Sequence, residues 1–66
     1  MRLDCRKIEE FRVRKGLNQT DLAEKAGISR QWLSTVLLRA SATPETSIKI
    51  ADALEVELAD ILKEEP

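Results

Sequence analysis

The feature that most constrains this fold is a short break, Ala26-Gly27-Ile28-Ser29, between two segments predicted to be helical. Gly27 can take the positive φ that ends a helix at low cost, and Ser29 can cap the helix that follows. A turn of three or four residues that contains glycine sets two helices at a sharp crossing angle. We therefore predict two crossed helices, over about 19–25 and about 30–38.

Similar start and stop signals mark three further helices. Asp4 can cap a helix over about 5–15, and Asn18 with an acid three residues on forms a capping-box-like start for the second helix. The run Thr43-Pro44-Glu45 begins a fourth helix, because it offers a capping hydroxyl, a proline in the first turn and an acid near the positive end of the dipole. A last helix is predicted over about 57–64. The chain is therefore expected to be all-α, with five short helices.

Size and composition limit what such a fold can do. A chain of 66 residues forms one domain, residues 1–66, with a small core that is expected to span about residues 5–63. With Cys5 as its one cysteine, the chain can form no internal disulfide and no zinc cage. It has no histidine and no tyrosine, which removes the commonest metal ligand and the commonest general base. We therefore expect no enzyme, no metal and no cofactor.

Charge is divided unevenly along the chain. Residues 1–39 carry nine basic and five acidic side chains, whereas residues 40–66 carry two basic and seven acidic ones. This distribution suits a polyanion at one face, and it also suits a solvated surface with uneven charge. The sequence pI of about 5.4 is low for a nucleic-acid-binding protein. Because there is neither a membrane-spanning apolar run nor the apolar stretch of a signal peptide, a cytoplasmic location is expected.

Most of the chain carries the motifs of a known family. They are Ile8-Glu9-Glu10-Phe11-Arg12, Lys15-Gly16-Leu17-Asn18-Gln19, the run from Leu22 to Arg30, Leu33-Ser34, Pro44-Glu45-Thr46, the run from Lys49 to Leu54, and Val56, Leu58, Ile61 and Leu62. In these residues the chain resembles the helix-turn-helix domain of phage repressors, Cro proteins and the wider Xre group of bacterial regulators. The resemblance implies a five-helix lambda-repressor-like domain, with its helix-turn-helix at about 19–38, that binds operator DNA, usually as a two-fold dimer.

The resemblance also implies roles for individual residues. It assigns the base contacts to Arg30, Gln31 and Thr35. Arginine and glutamine suit bidentate contacts to guanine and adenine in the major groove. It assigns the contacts to the DNA backbone to Gln19, Asn18, Ser29, Ser34, Arg12 and Arg39. The dimer interface includes Pro44, Leu58 and Ala59.

Four positions depart from the pattern of the family. Leu37 replaces a glutamate that usually pairs with an arginine at the position of Arg12, which leaves Arg12 for a phosphate or a local acid. Arg39 replaces a glycine after the third helix, and Glu55 replaces one before the last helix, which costs stability if its φ is positive. A basic residue that some relatives carry near Glu45 for the minor groove is absent.

Three hypotheses for function remain open. The first is a sequence-specific transcriptional regulator, a repressor that binds a two-fold operator in double-stranded DNA as a homodimer and can contact polymerase. The second is an antitoxin that binds a toxin and represses its own operon. The third is a protein-interaction module that has lost DNA binding. Leu38 and Ile48 are candidate exposed apolar side chains at a protein interface, whereas Trp32 packs partly against the second helix or lies beside DNA sugars.

Overall fold

Four α-helices account for most of the chain, and each begins at the capping residue that the sequence predicts. The computed structural model describes residues 1–64, and Glu65 and Pro66 lie outside the described residues. The helices are α1, Cys5–Arg14, α2, Gln19–Ala26, α3, Arg30–Arg39, and α4, Pro44–Leu54. Their N-caps, each accepting a backbone N–H of the first turn through its side chain, are Asp4, Asn18, Ser29 and Thr43. The all-α class is therefore confirmed over the described residues.

The predicted fifth helix, over about 57–64, is wrong. In its place the chain makes a three-residue 3-10 helix, Leu58–Asp60, in which the N–H of Ile61 donates to the carbonyl of Leu58 at 3.1 Å. The chain then leaves the helical path, because the N–H of Lys63 donates to the carbonyl of Arg2 at 3.0 Å, whereas in an α-helix it would donate to the carbonyl of Ala59. A backbone N–H that is engaged in this way no longer serves a helical ladder. The architecture is thus four α-helices and one 3-10 turn.

The segment after the 3-10 helix is extended, and it pairs with the N-terminal segment of the chain. Leu3 forms an isolated antiparallel bridge with Leu62, and Arg2 forms one with Ser41. The N–H of Leu3 also donates to the carbonyl of Ala40 at 2.8 Å. The first residues therefore lie between the loop after α3 and the C-terminal segment. Since Leu3 is only 1% exposed, it is part of the buried core.

The core forms where α4 packs against α2, the most extensive contact between two helices. Its fully buried larger apolar side chains are Leu3, Ile8, Leu22, Leu33, Val36, Ile50, Leu54 and Ile61. Ser47 lies on the inward stripe of α4 and is 0% exposed, and its hydroxyl donates to the carbonyl of Thr43 at 2.9 Å. Within residues 1–64 no buried side-chain nitrogen or oxygen lacks a hydrogen-bond partner. The interior thus meets the requirement that buried polar groups be paired.

Two helices end at a non-glycine residue in the left-handed region. Ala40 has a φ of 53° at the end of α3, and Glu55 has a φ of 59° at the end of α4. Arg39, which stands where the family has glycine, stays inside α3, so the left-handed position passes to Ala40. At Glu55 the condition for a stability cost is met, because an L-residue in this region is strained by contact between its Cβ and the following carbonyl oxygen.

Candidate nucleic-acid interface

The turn between α2 and α3 has the conformation that the sequence predicts. Gly27 adopts a φ of 72°, and its N–H donates to the carbonyl of Glu24 at 3.1 Å. The N–H of Ile28 then donates to the carbonyl of Ala23 at 3.0 Å, which satisfies a second carbonyl at the end of α2. Ser29 is extended and caps α3 through its hydroxyl oxygen, which accepts the N–H of Trp32 at 3.0 Å. The turn therefore fixes the direction in which α3 leaves α2.

Helix α3 has one buried side and one exposed side. Leu33 and Val36 are buried, and Leu37 packs partly against the core. The exposed residues of α3 are Arg30, Gln31, Trp32, Ser34, Leu38 and Arg39. It is the one α-helix of residues 1–64 whose sequence contains two arginines and no acidic residue. A surface with positive and neutral polar groups and no carboxylate is suited to a polyanion.

The three residues assigned to base contacts lie together on α3. Arg30 and Gln31 are exposed in its first turn, and within residues 1–64 neither side chain makes an ion pair or a side-chain hydrogen bond. Thr35 is half-buried, and its hydroxyl donates to the carbonyl of Gln31 at 3.1 Å. Because that proton is used within the helix, Thr35 offers a partner an acceptor oxygen and a methyl group. Their proposed base contacts stay predictions.

Four of the residues assigned to the DNA backbone lie at helix starts or on α3. Asn18 accepts the N–H of Asp21 at 2.7 Å through its side-chain oxygen, which leaves the amide NH₂ as a donor. Gln19, the first residue of α2, is half-buried, whereas Ser29 and Ser34 are exposed. The hydroxyl of Ser29 acts as an acceptor in its cap and keeps its proton for a phosphate oxygen. Each of these side chains except the half-buried Gln19 thus presents an unhindered donor.

The side chain of Arg12 is more buried than those of Ser29 and Ser34. Its side chain is 16% exposed, it pairs with Glu9, and it donates to the carbonyl of Leu17 at 2.6 Å. Because Leu37 replaces the family's glutamate, the sequence left two partners open for Arg12, a phosphate or a local acid. The structure contains the local acid, Glu9. The guanidinium therefore ties the end of α1 to the chain just before α2, and its contact with a phosphate stays a prediction.

Arg39 lies in a different setting, at a groove beside α3. The groove has a volume of about 340 Å³ and is lined by Met1, Trp32, Thr35, Val36, Arg39, Ser41, Ala42 and Thr43. Within residues 1–64 no carboxylate pairs with Arg39. Trp32 is 42% exposed, so its ring is partly packed and partly open to this groove. The arginine and the ring thus lie at the same edge of α3 as the start of α4.

Leu37 and Cys5 meet behind the exposed face. The Cys5 thiol donates to the carbonyl of Leu37 at 3.2 Å. Burial raises the pKa of this thiol, and the neighbouring Asp4 carboxylate raises it further. A raised pKa disfavours the thiolate, which is the reactive form of cysteine. Cys5 is therefore a small, partly buried side chain that links α1 to α3.

The residues assigned to a dimer interface differ in their exposure. Pro44 and Ala59 are exposed, whereas Leu58 is half-buried and packs against the core of its own chain. Leu58 consequently contributes to the fold of the monomer, and its role at an interface stays a prediction. Ile48 is exposed, as expected.

Together the helices α2 and α3 joined by the Gly27 turn, the acid-free exposed face of α3 and the free donors at both helix starts define a helix-turn-helix DNA-binding domain. A comparison with protein families agrees: a family model described as helix-turn-helix matches residues 8–61. The chain belongs to this family, the Xre-like group of DNA-binding transcription regulators. No curated protein and no solved structure gave a significant match. None of the helices within residues 1–64 is long and apolar enough to cross a lipid bilayer.

Proposed function

We propose that this chain is a transcriptional repressor that binds a two-fold operator as a homodimer. One observation carries the proposal: the first turn of α3 presents Arg30 and Gln31 with no competing partner in residues 1–64 and with no acidic residue on the same helix. Arginine can pair with O6 and N7 of guanine, and glutamine with N6 and N7 of adenine. With α3 in the major groove, such a dimer occupies a promoter and excludes polymerase without doing any chemistry.

The first test compares two glutamines at different places, the exposed Gln31 on α3 and the half-buried Gln19 at the start of α2. Gln31→Ala removes a proposed base contact, which costs about 1–3 kcal/mol per half-site and relaxes the preference at one base pair. Gln19→Ala makes the same chemical change at the start of α2, where we expect a phosphate contact and hence a uniform loss across sequences.

The measurement is selection of bound sequences from a random DNA pool by the wild type and both variants. We expect Gln31→Ala to change the selected sequence and Gln19→Ala to keep it while binding all DNA more weakly. If the wild type and Gln31→Ala select the same sequence, Gln31 contacts no base and α3 is not the recognition helix.

The test of dimer formation needs a variant that leaves the core of the monomer intact. Because Leu58 packs against its own chain, Leu58→Asp threatens the fold as well as an interface. The exposed neighbour Ala59 offers a cleaner change, and Ala59→Asp is expected to give a folded monomer. Sedimentation with and without operator DNA measures the outcome. A wild type that stays monomeric on its operator contradicts the two-fold proposal.

The salt dependence of DNA affinity tests the electrostatic contribution to binding. Each phosphate neutralised adds about −0.9 to the slope of log K against log salt, and the few cationic and polar groups available per subunit give a dimer slope of roughly −4 to −7. A slope near zero would contradict DNA binding altogether.

The antitoxin alternative requires a separate apolar docking surface for a toxin. Ile48 is exposed on α4, but single exposed apolar residues are common on soluble proteins. The repressor is therefore the function that we propose, and the expected cytoplasmic location depends on the same proposal.

A further inference from the structure

The guanidinium of Arg12 joins α1 to the chain just before α2. Its Nε and Nη2 donate to the carboxylate of Glu9, with Nε 3.4 Å from Oε2. Its Nη1 donates to the carbonyl of Leu17 at 2.6 Å. Because a guanidinium is planar, two hydrogen bonds to one carboxylate fix the direction in which its third nitrogen points. Glu9 therefore orients Arg12 toward Leu17.

The bond to Leu17 also fixes the start of α2. The carbonyl of Leu17 and the N–H of Asn18 belong to one planar peptide unit. Arg12 holds the carbonyl, and the carboxylate of Asp21 accepts the N–H at 3.2 Å as part of the capping box of α2. The N–H of Leu17 donates to the carbonyl of Arg12 at 3.1 Å. With both of its polar groups engaged, the 17–18 peptide unit sets where Asn18 and Gln19 lie.

The positions of Asn18 and Gln19 matter because both are expected to donate to a phosphate. Such a hydrogen bond depends on distance and angle, so donors that are already in place bind more tightly. The connection before them contains Gly16, and glycine has the greatest backbone freedom of any residue. The contact between Arg12 and Leu17 restrains this connection.

We propose that Glu9 is a positioning residue for DNA binding: it orients Arg12, which holds the 17–18 peptide unit and with it the phosphate-binding start of α2. Arg12 then acts through this peptide unit and not by contacting a phosphate itself. Within residues 1–64 neither side chain forms a hydrogen bond or an ion pair with α3. The pair therefore controls affinity for all DNA and leaves the preferred sequence unchanged. The inference rests on the proposed function, since it requires the phosphate contact of Gln19.

The direction of one effect separates this role from simple electrostatics. Removing a carboxylate from a DNA-binding protein ordinarily strengthens binding, because it removes repulsion from the phosphates. Glu9→Ala should instead weaken binding by about tenfold per subunit, which corresponds to the loss of one hydrogen bond to a charged acceptor. Anisotropy of a short labelled duplex of random sequence at low salt, where nonspecific binding is strong, measures the affinity.

Glu10→Ala is the matched control. Glu10 also pairs with an arginine of α1, Arg14, but within residues 1–64 neither of these side chains bonds to another part of the fold. Glu9 and Glu10 are similarly exposed, so both variants are expected to fold. Glu10→Ala should bind the duplex at least as tightly as the wild type.

A double-mutant cycle separates positioning from a general loss of stability. Gln19→Ala weakens binding in the wild type, and in the Glu9→Ala background this loss should nearly vanish, because the donor is already displaced. A smaller folded fraction would leave the effect of Gln19→Ala unchanged. Circular dichroism at the temperature of the binding assay measures the folded fraction directly.

Three results would overturn the role of Glu9 while DNA binding stands. They are Glu9→Ala binding as tightly as Glu10→Ala, additive effects of Glu9→Ala and Gln19→Ala, and a changed sequence selected by Glu9→Ala from a random pool, since the pair would then act on α3. If the wild type binds no duplex even at low salt, the proposed function fails and the role of Glu9 fails with it.

Discussion

Glu55 offers a quantitative test of the backbone energetics of this fold. It ends α4 with φ 59° and ψ 40°, and its N–H donates to the carbonyl of Asp52 at 3.0 Å. An L-residue in this left-handed conformation costs about 1–2 kcal/mol, whereas glycine adopts it freely. Glu55→Gly removes this strain. It also makes the unfolded chain more flexible, which reduces the gain in stability by about 0.4–1 kcal/mol. The net gain from the backbone is about 0.5–1 kcal/mol.

The side chain of Glu55 complicates this gain, because its carboxylate pairs with Lys15 at the end of α1. The two side chains are 32% (Lys15) and 69% (Glu55) exposed, so solvent screens the pair. An exposed ion pair contributes about 0–1 kcal/mol. We therefore expect Glu55→Gly to stabilise the wild type only slightly, and to stabilise a Lys15→Ala protein by the full backbone term.

Thermal unfolding followed by circular dichroism measures this double-mutant cycle. In a domain of this size about 1 kcal/mol shifts Tm by about 4–8 °C, so the gain in the Lys15→Ala background is about 2–8 °C. Glu57→Gly, with a φ of −73° at position 57, is the matched control and should lower Tm. If Glu55→Gly lowers Tm in the Lys15→Ala background, the reasoning from left-handed strain is wrong.

Three further predictions concern buried and partly buried side chains. Ser47→Ala should change the free energy of unfolding in urea by less than about 0.5 kcal/mol. The carbonyl of Thr43 loses the hydroxyl donor but still accepts a hydrogen bond from the backbone N–H of residue 47. Leu3→Ala should cost about 2–5 kcal/mol in the same assay, since the side chain is fully buried. The raised pKa of Cys5 lowers its thiolate fraction at any given pH, so alkylation should be slower in the folded protein than in urea, with the difference closing as pH rises above the folded pKa.

The features that the sequence predicts correctly are local ones. A capping residue acts on N–H groups two or three positions away, so Asp4, Asn18, Ser29 and Thr43 could be assigned from the sequence alone. The same holds for Gly27, whose φ serves the turn in which it lies. These positions set the ends of the helices and, through the turn, the direction of α3.

The features that the sequence analysis missed depend on residues far apart in the chain. The apolar pattern after Val56 is compatible with a helix, and only the pairing of Leu3 with Leu62 draws this segment into an extended form. Arg12 behaves similarly, because its contact with the carbonyl of Leu17 depends on how the chain turns between α1 and α2. In the candidate site, the exposure of Leu38 could be predicted from the sequence, because Leu38 directly follows Leu37 and cannot share its face of α3.

The low pI does not count against a DNA ligand, because charges on this protein act locally. Salt at physiological strength screens exposed charges beyond about 8 Å, whereas the Cα atoms of the domain extend over 32 × 22 × 17 Å. Four cations of the basic N-terminal part, Lys7, Arg12, Arg14 and Lys15, are already paired with carboxylates. The nine basic residues of the segment 1–39 therefore overstate the charge that remains for a phosphate backbone. What a polyanion meets at α3 is Arg30, Arg39 and no carboxylate on that helix, whatever the net charge of the whole chain.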